Sequence, residues 1–375
     1  MPLLDANFNR KHLFNALQKF QGVVDKRSAS NVLSHVMLSV GADGRVEMRA
    51  TDYDVAVFVT MTAEVTSPGS LCLHGKAFFD MIKGIGADAS VRIVGLDTHW
   101  AQLSSGRAKF NLAGIKPADF PDIITPDSSK LEPVCEMQTA ILRDLLEKTE
   151  FSMSTDETRM MLNGVFFKLS KDNVIAVSTD GHRLSKAEVG FDSGGKEFSA
   201  IIHKKGVVEV RKLIDGAEGP ISILATKNGD TIVFRSGDTT HAVRQIVDLY
   251  PDFNRVIPSS APYTISIDRE KLLAAVKRVE FLANNKTYLV RIELTKDRFI
   301  ISTMSPEYGD ARDEIDINYD GPTMVVGFNY HYLVDVLMVS KGVTISLGIT
   351  DEFGPTKITV PAEPGATFVV MPMRA

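Results

Sequence analysis

The string TDGHR (179–183) places Asp180, His182 and Arg183 side by side, an acid, a base and a guanidinium able to hold an anion. That set suggests hydrolysis. General-base or covalent chemistry also needs a nucleophile within hydrogen-bond reach of the base, and nothing in the sequence places one there. A hydrolase using the 179–183 segment is therefore only the minor alternative. A second string, GSLCLHGK (69–76), has the outline of a phosphate-binding loop. It has five residues between its glycines where that motif has four, and Ala77 stands where a Ser or Thr would hold magnesium. Cys72 and Cys135 have no neighbours at metal-ligand spacing, and no GxSxG elbow occurs. No catalytic residue, metal or cofactor is expected.

If the chain does no chemistry, its organisation carries the function. It has 375 residues, enough for two to three domains, with 44% hydrophobic and 24% charged residues, an ordinary globular composition. No stretch approaches the roughly 18 apolar residues of a membrane span. The N-terminus lacks a basic region followed by an apolar core, so no secretory signal is expected. Two cysteines fit a reducing compartment, and a cytoplasmic location is expected. The net charge is 42 − 47 = −5, so any contact with nucleic acid requires positive charge gathered on one surface.

Three segments read alike: VMLSVGADGRVEMRATDYDVAV (36–57), VFFKLSKDNVIAVSTDGHRLS (165–185) and VRIELTKDRFIISTMSPEYGD (290–310). Each is an alternating strand, a turn holding an Asp, a second alternating strand and a Thr, which is a hairpin pattern. The turn residues Asp43, Asp172 and Asp297 are 129 and 125 apart; Thr51, Thr179 and Thr303 are 128 and 124 apart. Helical periodicity keeps the same step at 9–20, 139–151 and 268–282, with Leu13, Leu145 and Leu272 as anchors. Second helices are predicted at 75–85, 203–214 and 329–340, and Pro-bearing exits recur as ADFPDIITP (118–126) and DLYPDFNRVIP (248–258). The chain is thus three copies of one α+β unit, two helices packed on antiparallel sheets, with domains expected at 1–128, 129–259 and 260–375.

The helices carry the basic residues. The first helix and the loop after it hold Arg10, Lys11, Lys19, Lys26 and Arg27. The second unit holds Arg143, Lys148, Lys204, Lys205, Arg211 and Lys212, and the third holds Lys271, Lys277 and Arg278. Most helix charges are solvated outer faces. Repetition in three copies favours a shared positive lining suited to phosphates.

TDGHRL (179–184), YPDFNRVIP (250–258), MLNG (161–164) and the terminal VVMPMR (369–374) are the specific pieces by which the whole chain resembles the bacterial sliding clamps, the beta subunits of DNA polymerase III. The resemblance implies the DNA clamp fold, three domains of one kind closing head to tail with a second copy into a ring. Twelve helices would surround double-stranded DNA without reading its sequence. The implied role is to keep the replicative polymerase on its template, with no polymerase or ATPase activity of its own. The implied DNA-lining residues are Arg10, Lys26, Arg27, Arg143, Lys148, Lys204, Lys205, Arg211, Lys277 and Arg278.

The resemblance also implies a pocket for short peptide motifs of the polymerase III catalytic subunit, the clamp loader, other polymerases and repair proteins. Leu162, Thr179, Gly181, His182, Arg183 and Leu184 would form one wall, and Pro251, Arg255 and Val256 another. Val369, Val370, Met371, Pro372, Met373 and Arg374 would complete it, with adaptable methionines suited to many partners. The implied homodimer contact sets Phe110 and Leu112 against Phe281 and Leu282, with Lys76 adding a charge contact. Met160 and Met161 follow Arg159 where members often carry aromatic residues. Ala375 ends the chain where Leu is common, and Pro355 replaces a small polar residue. A peptide-binding scaffold of clamp fold that does not encircle DNA is the other alternative.

Overall fold

The computed structural model describes residues 3–24, 32–121 and 130–374. Six α-helices occur among them: α1 (Arg10–Lys19), α2 (Gly75–Lys83), α3 (Thr139–Glu147), α4 (Lys204–Asp215), α5 (Arg269–Val279) and α6 (Tyr330–Val339). The predicted helices at 139–151 and 268–282 finish early. Each yields to a single tight turn, Glu150–Ser152 and Glu280–Leu282. After α3 the Thr149 hydroxyl donates to the Leu145 carbonyl at 2.7 Å, taking a bond that would otherwise prolong the helix. Entry is set by side-chain caps: Asn9 accepts from the His12 amide at 3.2 Å and Asp268 from the Lys271 amide at 2.9 Å.

Each repeat builds two antiparallel ladders of four main strands, and in the first repeat the short strands Glu64–Ser67 and Gly114–Ile115 add a fifth to each. The hairpin ladders run Gly69–His74, His35–Val40, Arg45–Thr51, Val55–Thr62 in the first repeat and Phe198–His203, Gly164–Leu169, Asn173–Thr179, Arg183–Gly190 in the second. In the third the order is Met324–Asn329, Leu289–Leu294, Arg298–Ser305, Gly309–Asp316. The companion ladders begin at Leu4–Asn9, Leu131–Met137 and Tyr263–Asp268. They end at Ala108–Leu112, Thr239–Arg244 and Glu363–Val370.

These ladders join across repeats. Val55–Thr62 pairs with Thr239–Arg244 (Val55 opposite Val243), giving a nine-stranded sheet. Arg183–Gly190 pairs with Glu363–Val370 (Arg183 opposite Val370), giving an eight-stranded one. Two ladders are left over. The first repeat's companion ladder ends in the strand Ala108–Leu112, and the third repeat's hairpin ladder ends in Gly309–Asp316; each is a sheet edge. Because pairing crosses the repeats, the compact units do not follow them. One unit is Met1–Thr139 with Lys205–Gln245, and the other is Ala140–Lys204 with Ile246–Ala375.

In the first unit α1 packs on α2, with Phe14 stacked on Phe79 at 5.2 Å. In the second, Leu272, Val276 and Val279 of α5 meet Leu333, Val336 and Leu337 of α6 over the inner sheet faces. Each such fully buried aliphatic side chain contributes about 1.5–3 kcal/mol. The GSLCLHGK string is a strand, Gly69–His74, laddered to His35–Val40 and to Gly114–Ile115 before α2 starts, so its amides serve the sheet and cradle no phosphate.

Candidate functional site

The TDGHR loop joins Asn173–Thr179 to Arg183–Gly190. The Thr179 hydroxyl donates to the Arg183 carbonyl at 2.6 Å and accepts from the Gly181 amide at 3.1 Å. Asp180 Oδ1 accepts from the His182 and Arg183 amides at 2.8 and 3.0 Å. Gly181 sits at φ 92°, a conformation in which a side chain is strained. Asp180 thus holds the turn through its carboxylate.

The ladder beneath the loop has two faces. Strand alternation sends Val177, Leu184 and Val369 to the outer one, where they form a buried cluster covered by half-buried Phe166, Ile175, Tyr250, Phe253 and Ile257. Tyr250 stacks on Phe166 at 4.8 Å with planes 10° apart, and Phe253 lies 6.3 Å from the same ring. Burial pushes the Tyr250 phenol above its ordinary range. Val256, Leu249 and Val247 are exposed apolar residues of the same exit segment, at 47, 86 and 79%. The C-terminal segment crosses the end of this sheet: the Met371 amide donates to the His182 carbonyl at 2.8 Å and the Met373 amide to the Gly327 carbonyl at 2.8 Å.

Arg183 ties the loop to the third repeat. Its guanidinium pairs with Asp180 at 3.1 Å and with Asp335 of α6, donates to the Phe151 carbonyl, and lies over the Tyr332 ring at 4.5 Å. With its side chain only 13% exposed and its donors engaged, Arg183 positions this site more than it presents a free cation.

The structure brings Thr179, Gly181, His182, Arg183, Leu184, Val369 and Met371 together on this loop and ladder. Gly181, His182, Pro251, Arg255, Val256 and Arg374 are exposed, while Met371, Pro372 and Met373 are half-buried. Leu162 is buried in the short turn Met160–Leu162, outside the outer-face cluster. Val370 is a correction. It is fully buried in the third repeat's core beside Phe368, because alternation along the strand turns it to the face opposite Val369. Sequence reading misses Phe166, Val177, Tyr250, Phe253, Tyr332 and Asp335. The alternation of 165–177 marks the first two, and Tyr250 directly precedes Pro251.

Among the expected lining residues, Lys204, Lys277 and Arg278 are exposed. Arg278 pairs with Asp313 at 2.5 Å, and Lys205 pairs with Asp52. Arg143 and Arg211 are half-buried. Arg10 donates to the Ile82 and Lys83 carbonyls at 2.9 Å, closing the end of α2. Lys148 is a second correction. It is 6% exposed and held by Asp144 and Glu363 at 2.7 Å each, so it faces no solvent channel. Lys26 and Arg27 lie outside the described residues. At the expected dimer contact Phe281 is 80% exposed, Phe110 and Leu282 are half-buried, and Leu112 is buried. Lys76 pairs with Asp80 one turn on, at 2.7 Å.

Among the described residues no group of His, Cys, Asp and Glu is arranged to hold a metal, and no helix is long and apolar enough to cross a membrane.

Three family descriptions match the chain in order: the DNA polymerase III beta subunit N-terminal domain at 5–124, its central domain at 136–252 and its C-terminal domain at 254–374. The chain is 30% identical to the beta sliding clamp of Salmonella typhimurium over 368 residues, 97% of this chain and 98% of that protein. It is 31% identical to that of Vibrio cholerae over 371 residues, with the same coverage of 97 and 98%. A solved structure of the Caulobacter crescentus beta sliding clamp superposes with a TM-score of 0.93 at 28% identity, covering 99% of each chain.

Proposed function

The chain belongs to the DNA polymerase III beta subunit family, the beta sliding clamps, and from that premise we propose that two copies close head to tail around duplex DNA. Three domains, 1–128, 129–259 and 260–375, make up each copy. Such a ring is a non-catalytic processivity factor of replication, working in the cytoplasm. It holds a polymerase at the primer end by topology, with phosphate attraction weak enough to permit sliding.

The observation that carries this reading is the pair of unmatched sheet edges. Twice within the chain the last strand of a hairpin ladder pairs with the last strand of the next repeat's companion ladder. The third such pairing lacks its partner: Gly309–Asp316 awaits a strand, and its counterpart Ala108–Leu112 stands at the other end of the sequence. A second copy satisfies both edges at once, twice over, and the assembly closes. Charge supports it. Arg107 and Lys109 sit at one edge, while Asp310, Asp313, Glu314 and Asp316 outnumber Arg312 on the other. The exposed Phe281 beside the acidic edge supplies the apolar contact.

The outer-face cluster of the second unit is the proposed peptide pocket, its walls given by the 179–184 loop, the 250–257 exit and the terminal methionines. It serves the replicative polymerase, the clamp loader and repair proteins through short apolar motifs.

The test is retention on nicked circular DNA after loading by a clamp loader. Linearising the DNA releases a ring and leaves a side-bound protein in place. Sedimentation must show a two-chain particle; a strict monomer at micromolar concentration, or retention indifferent to linearisation, overturns the proposal and favours a scaffold that does not encircle DNA.

A further inference from the structure

The two seams between successive repeats are built on one plan and differ at one helix face. Counted from the first residue of each helix, buried Leu13, Ala16 and Leu17 of α1 correspond to Leu142, Leu145 and Leu146 of α3, so the structural match of Leu13 is Leu142 and not the expected anchor Leu145, one turn further on. That alignment equates Lys19 with Lys148, Asn15 with Asp144 and Gln18 with Glu147.

At the second seam carboxylates fill the space. Asp144 bridges Lys148 and Lys341, both at 2.7 Å, Glu363 takes a further bond from Lys148 at 2.7 Å, and Glu147 adds its charge near Lys341. At the first seam both helix carboxylates are amides and the space is open. A cavity of about 1020 Å³ is lined there by Asn15, Gln18, Lys19, Lys212, Asp238 and His241, among others. Lys19 bonds Asp238 at 2.9 Å and Thr239 at 2.6 Å, with 34% of its side chain exposed; Lys212 bonds Glu209 at 2.6 Å. In the wall, His241 is 2% exposed and its Nδ1 has no hydrogen-bond partner.

We propose that this cavity binds a phosphate group, which takes the place that the Asp144 carboxylate holds at the other seam. The amides of Asn15 and Gln18 can donate to an anion that the acids at their counterpart positions would repel. Each lysine has one carboxylate partner and a donor to spare. His241 reports on occupancy: burial first, and then Lys19 and Lys212, disfavour its protonation, and an entering anion offsets the lysines' share. A soluble phosphate compound and the DNA backbone share this chemistry.

The experiment is titration of the full chain with inorganic phosphate and, separately, with a short DNA duplex, followed by the ring resonances of His241. Saturable displacement is expected with inorganic phosphate. Displacement by the duplex as well assigns the physiological source to the DNA backbone, whereas displacement by inorganic phosphate alone assigns it to a soluble compound. Asn15→Asp with Gln18→Glu restores the carboxylates of the second seam and should weaken binding at least tenfold, about the loss of one charge-assisted hydrogen bond. Thermal unfolding checks that the variant is folded; Lys212→Met, at an exposed position, gives an independent second loss. No displacement by either probe, or equal binding by the folded variants, overturns the proposal. Neither outcome depends on whether two copies form a ring.

Discussion

The loops 51–55 and 179–183 share a frame and differ in what they present. In the first, the Thr51 hydroxyl donates to the Val55 carbonyl at 3.0 Å and accepts from the Tyr53 amide at 3.0 Å, and Asp52 accepts from the Asp54 and Val55 amides at 3.0 and 2.8 Å. The same four bonds hold the second loop. Behind the frames the ladders diverge. Phe166 and Val177, paired across the second hairpin, carry the stacked Tyr250. Met37 and Arg49, their counterparts in the first, are closed over by Phe120, with the Arg49 guanidinium 5.5 Å from that ring. A backbone turn common to both repeats therefore belongs to the fold, while the pocket arises from the side chains that the ladder behind it carries.

The largest effect expected from this divergence lies on the strands beside the loops. Thr239–Arg244 buries His241 where Glu363–Val370 buries Phe368. Burial first, then Lys19 and Lys212, pulls the imidazole from 6.5 down to about 4. Below pH 6.5 the unfolded chain takes up a proton that the folded chain refuses until about pH 4. The contribution is therefore complete above 6.5 and falls away toward 4, a loss of about 3 kcal/mol at about 1.4 per pKa unit. Amide exchange at pH 7 and pH 4.5 should show the nine-stranded sheet loosening well before the eight-stranded one, and His241→Gln should flatten that difference. Equal loosening of both sheets breaks the comparison.

Next comes the ring behind the second loop. Tyr250→Ala removes a half-buried stacked ring and should cost about 2 kcal/mol, with at least a tenfold loss of peptide affinity by calorimetry. Phe120→Ala, the matching change in the first repeat, should leave peptide affinity alone. If both weaken it, the pocket is not confined to the second loop.

How much of this is legible in the sequence follows from the range of the interactions. The repeat step shows because strand alternation and Asp turns are local, so Asp43, Asp172 and Asp297 announce it. The joining of ladders does not show, since Val55 opposite Val243 is a long-range pairing that no local pattern encodes. Lys148 misleads because a lysine on a helix looks the same whether it meets solvent or a buried Glu363, although Asp144 one turn earlier is visible. Val370 misleads because resemblance carries a whole segment, while alternation sorts its neighbours to opposite faces. The apolar floor of the pocket stays hidden because Phe166 and Val177 look like ordinary core strand residues until Tyr250 arrives from 84 positions away.

A smaller effect tests the tie between the second loop and α6. Arg183→Met leaves Asp180 and Asp335 without their shared cation and the Phe151 carbonyl without its donor. About 2 kcal/mol of stability should be lost in denaturant unfolding, together with peptide affinity. Asp335→Asn should cost well under half as much, since Asp335 is 38% exposed and solvent screens its share. The first loop has Val55 at the position of Arg183, so no equivalent change exists there.

The smallest effect sits at the tip of each frame and has opposite signs in the two loops. Tyr53 holds φ 76° where Gly181 holds φ 92°, and its ring is 57% exposed. A non-glycine residue there costs about 1–2 kcal/mol, and glycine returns about 0.5–1 of that through the greater freedom of the unfolded chain. Tyr53→Gly should therefore stabilise by about 0.5 kcal/mol. Gly181→Ala should destabilise by about 1 kcal/mol, its new Cβ also meeting Arg159 Nη1 at 2.8 Å, a side-chain end that can move aside. Urea unfolding of the two variants decides it. Opposite signs mean that the shared frame sets the conformation and the tip residue merely tolerates it, whereas a loss in both means that the Tyr53 ring has contacts worth more than its strain.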